Sequence, residues 1–173
     1  MKISRFLILG LALLVSAHAK YVPTPEMAMR FAMAKDDTTT WAPQFMDGNA
    51  SGIIFEFVPE GQSIKAWREM VAQQIAFTKK SLRAHVDEWK AMLQRADPKI
   101  EIAEEAMSDG SLLVTYTSLA AQEMSMRRFI KAKDGIYMLA YHVRPSLKEE
   151  QRVAKWREIL TDASLIPNPE KRK

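Results

Sequence analysis

Residues 63–95, SIKAWREMVAQQIAFTKKSLRAHVDEWKAMLQR, decide how the rest of the chain is read. Apolar side chains fall at Ile64, Trp67, Met70, Val71, Ile75, Leu82, Val86, Trp89, Met92 and Leu93, mostly in steps of three and four, which predicts an amphipathic helix. Ser63 stands where an N-cap belongs, and Asp97-Pro98 closes the run. Phe77-Thr78-Lys79-Lys80-Ser81 interrupts the stripe, so two consecutive helices with a joint at 78–81 fit as well as one long helix. Either arrangement needs a sheet for its apolar face to cover.

Strands flank it on both sides. Upstream, Ile53–Val58 (IIFEFV) is a compact β-branched and aromatic run between the loop Gly48-Asn49-Ala50-Ser51-Gly52 and the stop Pro59-Glu60-Gly61. Downstream the period changes to two, predicting strands over Ile100–Met107, Ser111–Ser118, Glu123–Ala132 and Ile136–Val143, with hairpin signals at Asp109-Gly110 and Asp134-Gly135. Two of these strands are apolar on both faces, as in the middle of a covered sheet. Behind Pro145, Ser146-x-x-Glu149 reads as a capping box, and Val153, Trp156, Leu160 and Ala163 repeat at helical spacing. Trp67 and Trp156 are thereby expected to pack helices onto the sheet. Residues 20–49 are less legible: Met27, Met29, Phe31 and Met33 alternate like a short strand but are also compatible with a helix. They suit an adaptable binding surface or a plain cover for the sheet.

The order strand, long helix, four-strand meander, helix predicts an α+β domain: an antiparallel sheet of about five strands with helices on both faces, a three-layer α/β/α sandwich. The segment Phe55-Glu56-Phe57-Val58-Pro59-Glu60-Gly61-Gln62-Ser63, with Trp67 and Met70-Val71 beyond it, resembles the PsbP-like proteins and their small exported bacterial relatives. The resemblance covers roughly residues 50–166. It implies the same α/β/α fold and a role as an accessory or binding module.

Residues 1–19 are expected to leave the mature protein. Lys2 and Arg5 precede an apolar run from Phe6 to Val15, and Ala17-His18-Ala19 supplies a small-x-small cleavage site, the pattern of a secretory signal peptide. That run is shorter than the roughly 20 residues needed to span a bilayer as a helix, so no transmembrane segment is expected in the mature chain. Of 173 residues, 154 remain, and the loss of Lys2 and Arg5 takes the formal charge from +4 to +2. The expected organisation is a signal peptide over 1–19, one domain over 20–166 and a polar tail over 167–173. Such a weak charge on an exported domain argues against nucleic acid as partner, and the absence of cysteine removes thiol catalysis and thiolate metal sites. A periplasmic or secreted location follows.

Chemical signatures are sparse. The sequence has no GxSxG elbow, no phosphate-cradling glycine loop and no HExxH, so no cofactor and no metal are expected. His85 and Glu88 share a helical face, but two ligands do not make a metal site. The basic run Arg127, Arg128, Lys131 and Lys133, with Phe129 among it, stands out instead. Alternation puts Arg127, Phe129 and Lys131 on one face and Arg128 on the other. These five residues are the candidate binding site, and the expected function is a non-catalytic module recognising an anionic lipid, polymer or acidic protein surface. The rival is a small secreted hydrolase drawing acid and base groups from His142, Tyr116, Tyr141 and the acidic run Glu101, Glu104, Glu105 and Asp109.

Overall fold

Alternation of side chains across a pleat, more than helical periodicity, organises this chain. A computed structural model describes residues 22–33, 37–144 and 150–172. In order, the elements are β1 (Met27–Arg30), β2 (Trp41–Asn49), β3 (Gly52–Pro59), β4 (Glu69–Ala76), α1 (Leu82–Ala96), β5 (Glu101–Ala106), β6 (Leu112–Ser118), β7 (Glu123–Lys131), β8 (Ile136–Val143), α2 (Glu150–Asp162) and β9 (Ser164–Pro167), then a 3-10 turn over Pro169–Arg172. Seven strands form one antiparallel sheet in the order β2-β3-β4-β8-β7-β6-β5, and β1 pairs with β9 in a separate two-stranded sheet. The signal peptide and its cleavage site, and the capping box at 146–149, lie outside the described residues.

The four-strand meander lies where its period-two pattern placed it, and Gly110, at φ +79°, takes the left-handed turn position between β5 and β6. The long helix does not form as expected. Residues 69–76 are β4, hydrogen-bonded between β3 and β8 near the middle of the sheet. Met70 and Ala72 face one side and Val71 the other, all buried. A strand with apolar residues on both sides offers apolar positions at almost any spacing, including three and four, so it imitates a helical stripe. Val71 and Ile75 are β-branched, and packing on two sides settles the conformation in favour of the strand. The joint at 78–81 is the passage from β4 to α1, where Ser81 caps the helix by accepting from Ala84 N at 3.2 Å. At the other end Asp97 N donates to Leu93 O, ahead of Pro98.

The predicted α+β three-layer α/β/α sandwich on about five strands is corrected accordingly. Among the described residues the fold is mostly β, with seven strands in one sheet, two in another, and two α-helices of 15 and 13 residues. Val86, Leu82 and Trp89 of α1 pack on Leu112, Val114, Phe129, Met138 and Ala140. Trp156, Ile159 and Leu160 of α2, together with Met29 and Phe31, pack on Val71, Leu113, Met126, Leu139 and Tyr141, which point from the sheet's other side. Every residue of β8 is buried. The two ends of the described chain are tied together as well. Asn168 of the expected polar tail is buried, donating Nδ2 to Pro25 O at 3.0 Å while its backbone N donates to Glu26 O at 2.9 Å.

Candidate functional site

Strand β7 carries Arg127, Arg128, Phe129 and Lys131, with Lys133 just beyond it, and it is covered until its last residue, so the five candidate residues are separated. Arg128 is 4 % exposed. It donates Nε to Ser111 Oγ at 3.1 Å, NH2 to Asp109 Oδ2 at 2.6 Å and NH1 to the carbonyls of Leu160, at 2.7 Å, and Thr161. Those carbonyls end α2 and have no partner within the helix, so the guanidinium caps it and faces the negative end of its dipole. Phe129, 2 % exposed, lies under α1 with its ring centroid 5.2 Å from that of Trp89. Arg127 is half-buried on the same face: its guanidinium carbon stands 4.9 Å from the Trp89 centroid and 5.4 Å from that of Tyr116. It donates NH2 to Tyr116 Oη at 3.1 Å and Nε to Ser125 Oγ at 3.2 Å. Arg127, Arg128 and Phe129 are thus engaged inside the fold.

Lys131 and Lys133 remain exposed at the β7–β8 end of the sheet. Lys131 Nζ donates to Thr78 O at 3.0 Å, which brings this end beside the β4–α1 passage, where Lys79 and Lys80 are also exposed. Gly135 makes the close approach possible, since a Cβ there would meet Ala76 O at 2.3 Å. Lys79, Lys80, Lys131 and Lys133 therefore gather around two adjoining turns. Lys80 pairs with Glu88. His85, half-buried nearby, has its pKa lowered by burial, opposed by Glu88 and reinforced by the Lys80 and Lys131 charges. Its ring lies edge-on to Phe129, and Glu88 is taken by Lys80. Among the described residues no group of three or more metal-binding side chains occurs.

The hydrolase set is scattered except for one pair. Tyr141 points to the α2 side and donates to Glu69 Oε2 at 2.8 Å. Glu104 bonds Lys90 at 2.7 Å and also Arg83, Glu105 bonds Arg157, and Asp109 bonds Arg128. His142 and Tyr116, by contrast, converge on Glu123, a residue the sequence marked only as a strand start. His142 Nδ1 donates to Glu123 Oε1 at 2.7 Å, and the Tyr116 hydroxyl donates to the same oxygen. Register explains the meeting: Ser125 pairs with both Tyr116 and His142, and Glu123 sits two residues before it on the same face.

Burial raises the Glu123 pKa, but hydrogen bonds from His142 and Tyr116 and the charge of Arg127 outweigh it and bring the carboxyl down to about 2. Burial holds His142 neutral, against the pull of Glu123. Its Nδ1 therefore carries the proton and Nε2 a lone pair, which is buried without a partner. The Trp67 ring stands edge-on at 6.3 Å, itself covered by Arg144 at 4.4 Å. A base needs reach to a substrate proton, and this imidazole is enclosed.

Cavities among the described residues lie elsewhere. One of ≈ 230 Å³ is bounded by the β2–β3 turn and the end of β4; another of ≈ 50 Å³ lies between β1 and the main sheet. Compared with known protein families, curated proteins and solved structures, this chain matches none.

Proposed function

We propose that the protein is exported and acts as a non-catalytic binding module that recognises an anionic partner through Lys79, Lys80, Lys131 and Lys133. The observation that carries this reading is the gathering of four exposed lysines around two turns at one end of the sheet, tied by the Lys131–Thr78 hydrogen bond. A mature charge of only +2 gives no global attraction, so recognition depends on such local concentration. The signal-peptide pattern over 1–19 supports export. Among the described residues no helix is long and apolar enough to cross a membrane. The hydrolase reading has the Glu123–His142–Tyr116 array in its favour, but each of those groups is already occupied or enclosed.

Phospholipid headgroups, envelope polymers and acidic protein faces share the required chemistry, and the test separates them. Retention on vesicles rich in anionic lipid, on a heparin-like polymer and on an acidic protein surface should be compared as salt is raised. Exposed charges are screened within about 8 Å at physiological ionic strength, so genuine retention weakens with salt. The K79E/K131E/K133E variant should lose retention on the matching matrix, with stability changed by no more than about 0.5 kcal/mol per site. Salt-insensitive or undiminished retention of the variant overturns the proposal, as does the absence of retention by the parent on all three.

A further inference from the structure

On one side of the main sheet, α1 packs over Phe129, Met138 and Ala140 of β7 and β8. Register carries that face on across β4 and β3 to the edge strand β2: Met138 pairs with Gln74, Gln74 with Ile54 and Ile54 with Asp47. Asp47, Ile54 and Gln74 therefore stand side by side, and all three line the cavity of ≈ 230 Å³ at the β2–β3 turn. Asp47 and Gln74 are exposed and flank the half-buried Ile54, with about 10 Å between their Cα atoms at two strand spacings. Asp47 Oδ1 accepts from Gly48 N at 2.8 Å, which leaves the second carboxylate oxygen as an acceptor. Phe45, 44 % exposed, lies two residues before Asp47 on the same face. The lysine cluster adjoins this wall. In the next row Gly52 pairs with Ala76, Ala76 with Ile136 and Ile136 with Lys131, and Gly52 and Ala76 also line the cavity. Lys131 Nζ rests on Thr78 O, two residues beyond Ala76, which is about 7 Å of extended chain.

We propose that the anionic partner is an acidic polysaccharide, one sugar ring of which lies in this cavity over Ile54, between Asp47 and Gln74, while its acidic groups meet the lysines. The proposal rests on the reading of the lysine cluster given above and names the class of partner. The Asp47 carboxylate separates the candidates. A carboxylate in the wall repels a second anion, so the group seated beside it is neutral and donates a hydrogen bond. A phosphate or a carboxylate only accepts, whereas a sugar hydroxyl both donates and accepts, as the Gln74 amide does. An acidic polysaccharide alternates such hydroxyl-bearing rings with charges that suit Lys79, Lys131 and Lys133. The Phe45 ring offers a flat apolar face to the C–H side of a neighbouring sugar. At about 15 Å³ for each water-sized sphere, the cavity takes roughly 15 heavy atoms, enough for one sugar residue.

Hexagalacturonate is the sugar probe, a short linear polyphosphate the sugar-free polyanion, and phosphatidylglycerol vesicles the lipid control, each titrated calorimetrically into the full chain at low salt. Gln74→Leu, Phe45→Ala and Asp47→Ala should each weaken hexagalacturonate binding about fivefold, the worth of one net hydrogen bond or apolar contact. None of the three should weaken polyphosphate binding, which also shows that the variants are folded and keep the lysine cluster. Asp47→Ala is the sharpest arm because the two accounts predict opposite signs. A polyanion held by the lysines alone binds more tightly once a nearby carboxylate is removed, whereas a sugar whose hydroxyl donates to Asp47 binds more weakly. Tighter hexagalacturonate binding by Asp47→Ala overturns the proposal, as does unchanged binding by Gln74→Leu and Phe45→Ala. Parent protein that binds polyphosphate or the vesicles but not hexagalacturonate overturns it too, while leaving the lysine cluster as an anion site. Absence of binding to all three probes removes the lysine reading and this one together.

Discussion

Trp156→Ala should lower the unfolding free energy by about 3–5 kcal/mol, the range for a large aromatic removed from a core that cannot collapse around the gap. Trp156 is 1 % exposed, stacks on Tyr141 at 4.7 Å between ring centroids, and receives Trp41 edge-on at 5.6 Å. Each aromatic pair adds roughly 0.5–1.5 kcal/mol beyond area burial. The truncation also loosens α2 from β8, on which Arg128 and Arg152 depend for their partners: Arg152 of α2 bonds Glu69 Oε2 and Asp37 Oδ2, both at 2.9 Å. Urea melts of the variant check the value. Trp67→Ala provides the contrast, since Trp67 lies in the β3–β4 connection, half-exposed, and packs no helix; its loss should cost about 1 kcal/mol, as for a typical partly exposed site. Equal losses for the two tryptophans would mean that Trp67 closes a core after all.

The misreading of residues 63–76 and the correct reading of residues 100–143 have one physical cause. Polar turns punctuate the meander at Asp109-Gly110 and Asp134-Gly135, and its strands alternate visibly enough to show their period. Strand β4 has no such contrast because both of its sides are covered, and local sequence does not register whether a second layer is present. Strand β2 was hidden differently. Pro43 and the register shift between Pro43 and Phe45 break its alternation, and its middle is exposed at the sheet's edge, where an irregular strand discourages further pairing. The pairing of β1 with β9 joins the two ends of the described chain and leaves no local trace. The same distinction governs the candidate sites. Alternation correctly separated Arg128 from Arg127, yet it gave no indication that the ring of Trp89 would engage Arg127 and the carbonyls ending α2 would engage Arg128. Lys131 and Lys133 were legible as exposed charges, whereas their neighbours Lys79 and Lys80 are brought to them by β4. Glu123 acquires its role from the pairings of Tyr116 and His142 with Ser125, a register that no single strand encodes.

Glu123→Gln should cost about 2–3 kcal/mol near neutral pH and almost nothing near pH 2. A carboxyl whose pKa falls from the ordinary 4.5 to about 2 on folding stabilises the folded state by an amount of that order, with some discount for its 16 % exposed side chain. The folded value is the lower one, so the unfolded chain takes up the proton first as acid is added. The contribution is therefore complete above about pH 4.5 and is lost as pH falls toward 2. His142 acts in the same direction at a higher pH. Burial lowers its pKa, so the unfolded imidazole protonates below its ordinary 6.5 while the folded one stays neutral, and stability begins to fall from there. Against the opposing effect of burial, Glu104 is held below its ordinary value by Lys90 and Arg83, and Asp109 by hydrogen bonds from Ser111 and by Arg128, and they leave the variant with some acid sensitivity. The decisive quantity is the gap between the urea midpoints of parent and variant. It should close steadily between pH 5 and pH 2, whereas a gap constant over that range would mean that Glu123 stabilises the fold by shape and not by charge. The His142→Gln variant should shed the earlier part of the acid dependence and also reduce the part below about pH 4.5, because the His142 hydrogen bond is the largest of the influences that hold the Glu123 carboxyl down.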